Sequence, residues 1–264
     1  MTIMTPSDVQ IAAIQFSIAW QNPQQNMIQA EELLSQIEVA DICLLPEMWT
    51  TGFVTQPSTI PSSNKEALPW MQHMASQYGM VLCGTVAERL EEGYKEYFVN
   101  RMYFVEPSGK TTVYDKRHLF TMGGEDKSFT PGCQRVIVDY KGMRFLLLTC
   151  YDLRFPVWIR NRNDYDSILI AANWPQPRRT PWDILLQARA IENQCFVVAS
   201  NRVGDDMGAH YNGGTVIIDP KGKVLASAED DVQQVISAKL SIEERERFLS
   251  KFNVLRDADN FILG

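Results

Sequence analysis

The residues of this chain that could do chemistry stand at the ends of apolar runs. Phe145 to Leu148 reads as a buried strand, and Cys150 follows it within two residues. A cysteine at such a junction can aim its sulfur out of a sheet edge. A helix beginning near Asp152 would place positive dipole charge beside it, which predicts a lowered thiol pKa and a larger thiolate fraction. Glu47 comes directly after the apolar run 42–45 and Pro46, and Lys116 closes the β-rich segment 111–115. Sulfur, carboxylate and ammonium are the groups from which covalent and acid–base catalysis are built. Each also has an ordinary reading. Free cysteine usually packs as a small hydrophobe. Glu47 could be a solvated loop carboxylate, and Lys116 a surface lysine in Asp115-Lys116-Arg117. The three lie far apart along the chain, so only the fold can bring them together.

Other chemistries find less support. The three histidines, His73, His118 and His210, stand in no cysteine-protease signature, and His118 is two residues from Lys116. There is no GxSxG elbow for a serine hydrolase and no GxxxxGK[ST] phosphate loop. No clustered His, Cys or carboxylates suggest a metal, so neither metal nor organic cofactor is expected. A net charge of −7 provides no basic stripe for nucleic acid. No run of 18 apolar residues would span a membrane. The first basic residue is Lys65, so the positive start of a secretory signal is missing. Five scattered cysteines without CxxC spacing suit a reducing, cytoplasmic setting.

The elements that must position these groups follow from periodicity. Strands are expected over 9–16, 42–45, 79–86, 96–106, 111–116, 134–140, 143–149, 167–172, 195–200, 215–219, 223–228 and 232–240. Helices are expected over 26–39, 65–78, 181–193 and 242–252, with 253–264 as an irregular C-terminal tail. In the helix over 181–193, Leu185, Leu186, Ala190 and Ile191 form the expected inner face. Pro107-Ser108-Gly109 and Pro220-Lys221-Gly222 supply hairpin turns. Strands outnumber helices and several lie in hairpins, which excludes a plain doubly wound sheet. Two sheets stacked face to face, with helices on the outer faces, fit better. No linker or composition break divides the chain, so 1–264 reads as one domain.

The strings LLPEMWTTGF, YDKRHLF, LTCYDLRFP and ARAIEN, in this order, resemble the nitrilase (carbon–nitrogen hydrolase) superfamily from about Val9 to the C-terminal tail. The resemblance implies an α-β-β-α sandwich, in agreement with the two-sheet reading, and a Glu–Lys–Cys triad at Glu47, Lys116 and Cys150. A further family glutamate falls on Glu125. In the implied reaction Glu47 takes the thiol proton of Cys150 and returns it to departing ammonia. Lys116 and the backbone N–H of Tyr151 hold the oxyanion. The acyl group rests on sulfur as a thioester until water, activated by Glu47, releases the acid. Glu125 helps to position substrate and catalytic groups.

PEMWTTGF, CYDLRFPVW, AANWPQPR and NRVG are most similar to the omega-amidase branch. That implies hydrolysis of short dicarboxylic monoamides such as 2-oxoglutaramate, with small amide and water as the partners. The substrate's free carboxylate calls for a guanidinium. Arg178 is the candidate and Arg179 the alternate, while Arg154 is expected to pair with a carboxylate behind the nucleophile. Trp49, Phe53 and Trp174 are expected to wall the pocket, and Asn173 to offer a polar contact. The family habit implies a homodimer. The alternatives are hydrolysis of N-carbamoyl amines or other aliphatic amides, a non-catalytic scaffold on this fold, or a redox-sensing thiol protein.

Overall fold

Apolar side chains on both faces of a strand bury it from two sides, and β1 (Val9–Gln15) shows the pattern. Val9, Ile11 and Ala13 join the core between the sheets, while Ala12 and Ile14 face the helices of the outer layer. The computed structural model describes residues 8–262. After β1 come α1 (Pro23–Leu34), β2 (Ile42–Leu44), α2 (Ala67–Tyr78), β3 (Val81–Glu92), β4 (Lys95–Val105) and β5 (Thr111–Asp115). The second half runs through β6 (Ile137–Tyr140), β7 (Met143–Thr149), α3 (Pro156–Ile159), β8 (Ser167–Ala172), α4 (Arg179–Asn193) and β9 (Phe196–Asn201). It ends with β10 (Val203–Asp206), β11 (Ala209–Asn212), β12 (Val216–Ile218), β13 (Val224–Ser227), β14 (Gln234–Leu240) and α5 (Ile242–Lys251).

These strands form two six-stranded mixed sheets, ordered β14-β1-β2-β3-β4-β5 and β13-β12-β9-β8-β7-β6. The chain thus has the two stacked mixed sheets with outer helices that the sequence suggested. Strands β1, β2 and β3 run parallel, as do β7, β8 and β9, so each set ends on one rim. The two rims meet: the Glu47 N–H, just past β2, donates to Ala172 O at the end of β8. Among the described residues no helix is long and apolar enough to cross a membrane.

Several expected elements differ. α1 begins three residues early, at Pro23, because Asn22 caps it through Gln25 N (3.2 Å) and proline suits the first helical position. It stops at Leu34 rather than 39. On α4, Ile191 is exposed (53%) and Leu185 half-buried. The buried face is Trp182, Leu186, Arg189, Ala190 and Asn193, because the Arg189 guanidinium turns inward to Leu153 O (3.1 and 2.8 Å). Instead of a helix near Asp152, a five-residue 3-10 turn (Cys150–Arg154) precedes the four-residue α3. The β10–β11 hairpin was not expected at all.

Candidate active site

Each group of the proposed triad leaves its strand at the shared rim. Cys150, the residue after β7, has φ +43°, a left-handed conformation rare outside glycine and asparagine, and Met48, after Glu47, has φ +41°. These sharp exits turn the chain at once and place functional side chains over the strand ends. Asp152 locks the Cys150 turn from behind. It is fully buried and accepts from Thr149 N (2.9 Å), His118 N (3.0 Å) and Tyr114 Oη (2.7 Å). His118 Nδ1 lies 2.8 Å from the same carboxylate, and its ring stacks on Phe155 at 3.8 Å. That histidine therefore braces the turn, outside the ring of residues around the cavity.

Lys116 and Glu47 are brought together with Glu125, all three buried. Lys116 Nζ donates to Glu47 Oε1 (2.8 Å) and to both oxygens of Glu125 (3.1 and 2.8 Å). Asn100, from the middle of β4, donates through Nδ2 to Glu47 Oε1 (2.8 Å) and Glu125 Oε1 (3.0 Å), and its carbonyl accepts Lys116 N–H. The other Glu47 oxygen accepts Asn173 N–H at 2.9 Å, and Asn173 Nδ2 donates to Glu47 O at 2.6 Å. Glu125 also accepts the N–H of Phe120 (2.6 Å), which ties the following loop to the cluster. Cys150 Sγ points at Asn173 O, 3.8 Å away.

Two carboxylates thus surround one ammonium, and the ionisation of Glu47 and Lys116 reflects that imbalance. Burial raises the Glu47 carboxyl above the usual carboxylate range; Lys116 pulls it down, and Glu125 pushes it up again. Burial opposes the charge on Lys116, but Glu125 and then Glu47 outweigh it and hold the ammonium well above the ordinary lysine range. Burial, followed by the negative charge of Glu47, pushes the Cys150 thiol well above its ordinary value. This reverses the lowered thiol pKa expected from a helix N-terminus. A five-residue 3-10 turn has too little dipole to offset a buried site with a carboxylate beside the sulfur. Both effects favour the thiol over the thiolate.

A narrow cavity of about 50 Å³ opens over Cys150 and Lys116. Phe53, Trp174 and Asn173 line it, together with Tyr151, whose N–H falls in the first turn of the 3-10 segment, where no intrahelical carbonyl reaches it. Arg178 reaches the cavity over the Phe120 ring (5.1 Å). Arg179 does not: it is held by Asp183 (2.7 Å) and Asp230 (2.8 Å). Two expectations are corrected. Trp49 is no wall of the cavity; it is fully buried 5.0 Å from Trp70, in the core beneath α1 and α2, because the left-handed Met48 turns the chain back into the sheet. Arg154 pairs with no carboxylate among the described residues. Instead it lies 4.9 Å over Trp174 and lines the cavity. Tyr211 and Asn100 were missed in the sequence. Asn100 had one signal, a carboxamide in the otherwise apolar middle of YFVNRMYF. Among the described residues no cluster of His, Cys, Asp or Glu could hold a metal ion.

Residues 10–248 match the family described as carbon-nitrogen hydrolase. The omega-amidase YafV of Yersinia enterocolitica is 40% identical over 258 residues, covering 97% of this chain and 99% of that protein. The 2-oxoglutaramate amidase of Bacillus subtilis (strain 168) is 33% identical over 241 residues, 89% of this chain and 91% of that one. Among solved structures, XC1258 from Xanthomonas campestris is described as a CN-hydrolase superfamily protein with an arsenic adduct in its active site. It superposes with a TM-score of 0.91 at 35% identity, covering 98% of this chain and all (100%) of that chain. A fold of two stacked mixed sheets, a family match over most of its length and relatives of this identity lead to one conclusion: this chain belongs to the carbon–nitrogen hydrolase family, whose members cleave non-peptide C–N bonds.

Proposed function

We propose that the chain is an omega-amidase that hydrolyses the terminal amide of short dicarboxylic monoamides, 2-oxoglutaramate among them, through a thioester on Cys150. The observation that carries the reading is the buried Glu47–Lys116–Glu125 cluster set against Cys150 in a cavity that also receives the guanidiniums of Arg154 and Arg178, neither of which pairs with a carboxylate among the described residues. The relatives named for omega-amidase and 2-oxoglutaramate amidase activity support the substrate class.

The reaction balances on the chain's own groups. Glu47 accepts the thiol proton as Sγ bonds to the amide carbon. Lys116 Nζ and the Tyr151 N–H stabilise the oxyanion; each such donor is worth about 10²–10³ in rate. When the oxyanion collapses, the C–N bond breaks and Glu47 gives its proton to the leaving nitrogen, so ammonia departs and a thioester remains. Water then attacks, losing a proton to Glu47, and that proton returns to sulfur as the acid leaves. A carboxyl raised by burial suits both directions, because catalysis is best when the pKa lies near the working pH. Glu125 and Asn100 keep Lys116 and Glu47 in place. The guanidiniums of Arg154 and Arg178, held over the Trp174 and Phe120 rings beside the same cavity, are placed to receive a substrate carboxylate. We extend the reading to a homodimer, since Val157, Ile184 and Ile191 are exposed apolar side chains on α3 and α4 that a second copy would cover; sedimentation equilibrium measures it directly.

The test is ammonia release from succinamate, 2-oxoglutaramate, butyramide and an N-carbamoyl amine, with wild type and Arg178→Ala. The reading predicts a strong preference for the two carboxylate-bearing amides, and its loss in the variant. Faster release from butyramide or from the carbamoyl compound by wild type would overturn the substrate class.

A further inference from the structure

The string NRVG begins with Asn201, the last residue of β9, and the fully buried side chain of that asparagine has no part in the chemistry above. Strands β8 and β9 pair in parallel as far as Ala172 and Asn201. Past the last backbone pair, the Asn201 carboxamide continues the ladder. Its Oδ1 accepts the Trp174 N–H (2.8 Å), and its Nδ2 donates to Trp174 O (2.9 Å) and Gly213 O (2.7 Å). The Thr215 hydroxyl in turn brackets the Asn201 backbone, accepting its N–H and donating to its carbonyl, both at 3.0 Å. Both amide protons and the amide oxygen are thus engaged, and the backbone of Trp174 is held from its N–H and its C=O at once.

The segment so held serves both ends of the cavity. Asn173 gives its N–H to Glu47 Oε2 (2.9 Å) and turns its carbonyl to Cys150 Sγ (3.8 Å). Trp174 donates its indole N–H to Arg178 O (2.6 Å), and its ring lies 4.9 Å from the Arg154 guanidinium. Asn201 itself does not line the cavity. The molecule contains a matched clamp elsewhere. Asn26 of α1, equally buried, accepts the Ala19 N–H (2.7 Å) and donates to Ala19 O (2.8 Å) and Thr50 O (2.7 Å). Neither Ala19 nor Thr50 lines the cavity.

We propose that Asn201 is a positioning residue for the reaction, whose carboxamide clamp on Trp174 sets the Glu47 carboxyl at one end of the cavity and the Arg154 and Arg178 guanidiniums at the other. This deepens the proposed function and rests on it. The test measures ammonia release from succinamate and butyramide across pH, per folded molecule, beside the melting temperature. Wild type is compared with Asn201→Ala and with Asn26→Ala, which lose the same pattern of hydrogen bonds. Both variants should melt earlier, because buried backbone groups lose their partners. In Asn201→Ala alone, kcat on both amides should fall about 10²-fold, as for a catalytic group misplaced by about 1 Å. Its acid limb of kcat/KM should move up by about half a pH unit, because Glu47 loses a hydrogen bond that favours the carboxylate. Its preference for succinamate over butyramide should shrink about tenfold as the guanidiniums lose their support. If Asn201→Ala does not fold, Asn201→Ser, whose hydroxyl replaces part of the clamp, carries the same readouts. An acid limb or a preference left at the wild-type value in the Asn201 variant, or moved equally in Asn26→Ala, would overturn the role of Asn201 and leave the amidase reading intact. A wild type that releases ammonia from neither amide would instead overturn the amidase reading.

Discussion

Two clusters of charge in this molecule pair carboxylates with cations in opposite ratios and behave in opposite ways. Around Lys116, two carboxylates share one ammonium, and the Glu47 carboxyl is raised. Around Asp166, two guanidiniums share one carboxylate. Arg144 bonds it through Nε (3.0 Å) and Nη2 (2.8 Å), and Arg245 from α5 through Nη1 (2.7 Å). Burial opposes the charge there too, but the Arg144 hydrogen bond and the Arg245 charge outweigh it, and Asp166 is lowered. The first cluster lies beside a cavity and a thiol. The second pins α5 to the start of β8. An excess of acceptors over donors leaves a proton easy to place, which catalysis needs. An excess of donors leaves the carboxylate firmly ionised, which suits a structural clamp.

The sharpest way to break the comparison is to remove the shared centre of each cluster. Lys116→Met should lower kcat at least 10²–10³-fold, the cost of one oxyanion donor, read as ammonia release. Asp166→Asn should leave turnover per folded molecule near wild type. It should cost about 3 kcal/mol in urea unfolding, because the buried Arg245 guanidinium loses its partner, while the Arg144 guanidinium, 38% exposed, adds little. If both substitutions damage stability alone, the Lys116 cluster is structural as well.

A smaller effect separates the clusters by pH. Glu47 has a raised folded-state carboxyl, so protonating it on acidification removes the proposed base without costing stability. Asp166 has a lowered one, so its contribution is present above about pH 3.9 and is lost as pH falls through and below that value. The acid limb of kcat/KM should therefore lie above the ordinary glutamate range near 4.3, while the melting temperature is still level. Coincident loss of rate and melting temperature would contradict the division of roles. The smallest expected effect lies on the helices, where Leu186→Ala on α4 should cost about 2–5 kcal/mol and Ile28→Ser, at an exposed position of α1 outside the proposed dimer face, no more than about 0.5 kcal/mol. A large cost at Ile28 would show that its exposed position is covered in solution.

How much of this was legible in the sequence depended on whether a side chain's task is local. Glu47, Lys116 and Cys150 each close an apolar or β-rich run, and the structure brings them to one rim because parallel strands end there. The two-sheet architecture was readable from hairpins that simple β-α alternation does not produce. Asn100 was not readable as a site residue, since only tertiary contact reveals that both carboxylates share its amide. Arg154 was misplaced for the same reason, because nothing local says whether a guanidinium meets a carboxylate or an aromatic face. The β10–β11 hairpin hid behind its turn. Met207 and Gly208 both have positive φ (25° and 95°), yet methionine stands where asparagine or aspartate usually marks such a turn. Missing the hairpin also meant missing Tyr211. Trp49 was misread because one left-handed residue, Met48, reverses the side to which the chain turns.

The most direct test of the central claim is ammonia release from succinamate by Cys150→Ala, measured beside its thermal unfolding. The account predicts release indistinguishable from the enzyme-free rate, with a melting temperature close to wild type. Turnover at the wild-type rate from that variant would mean that sulfur is not the nucleophile, and the proposed chemistry would fall with it.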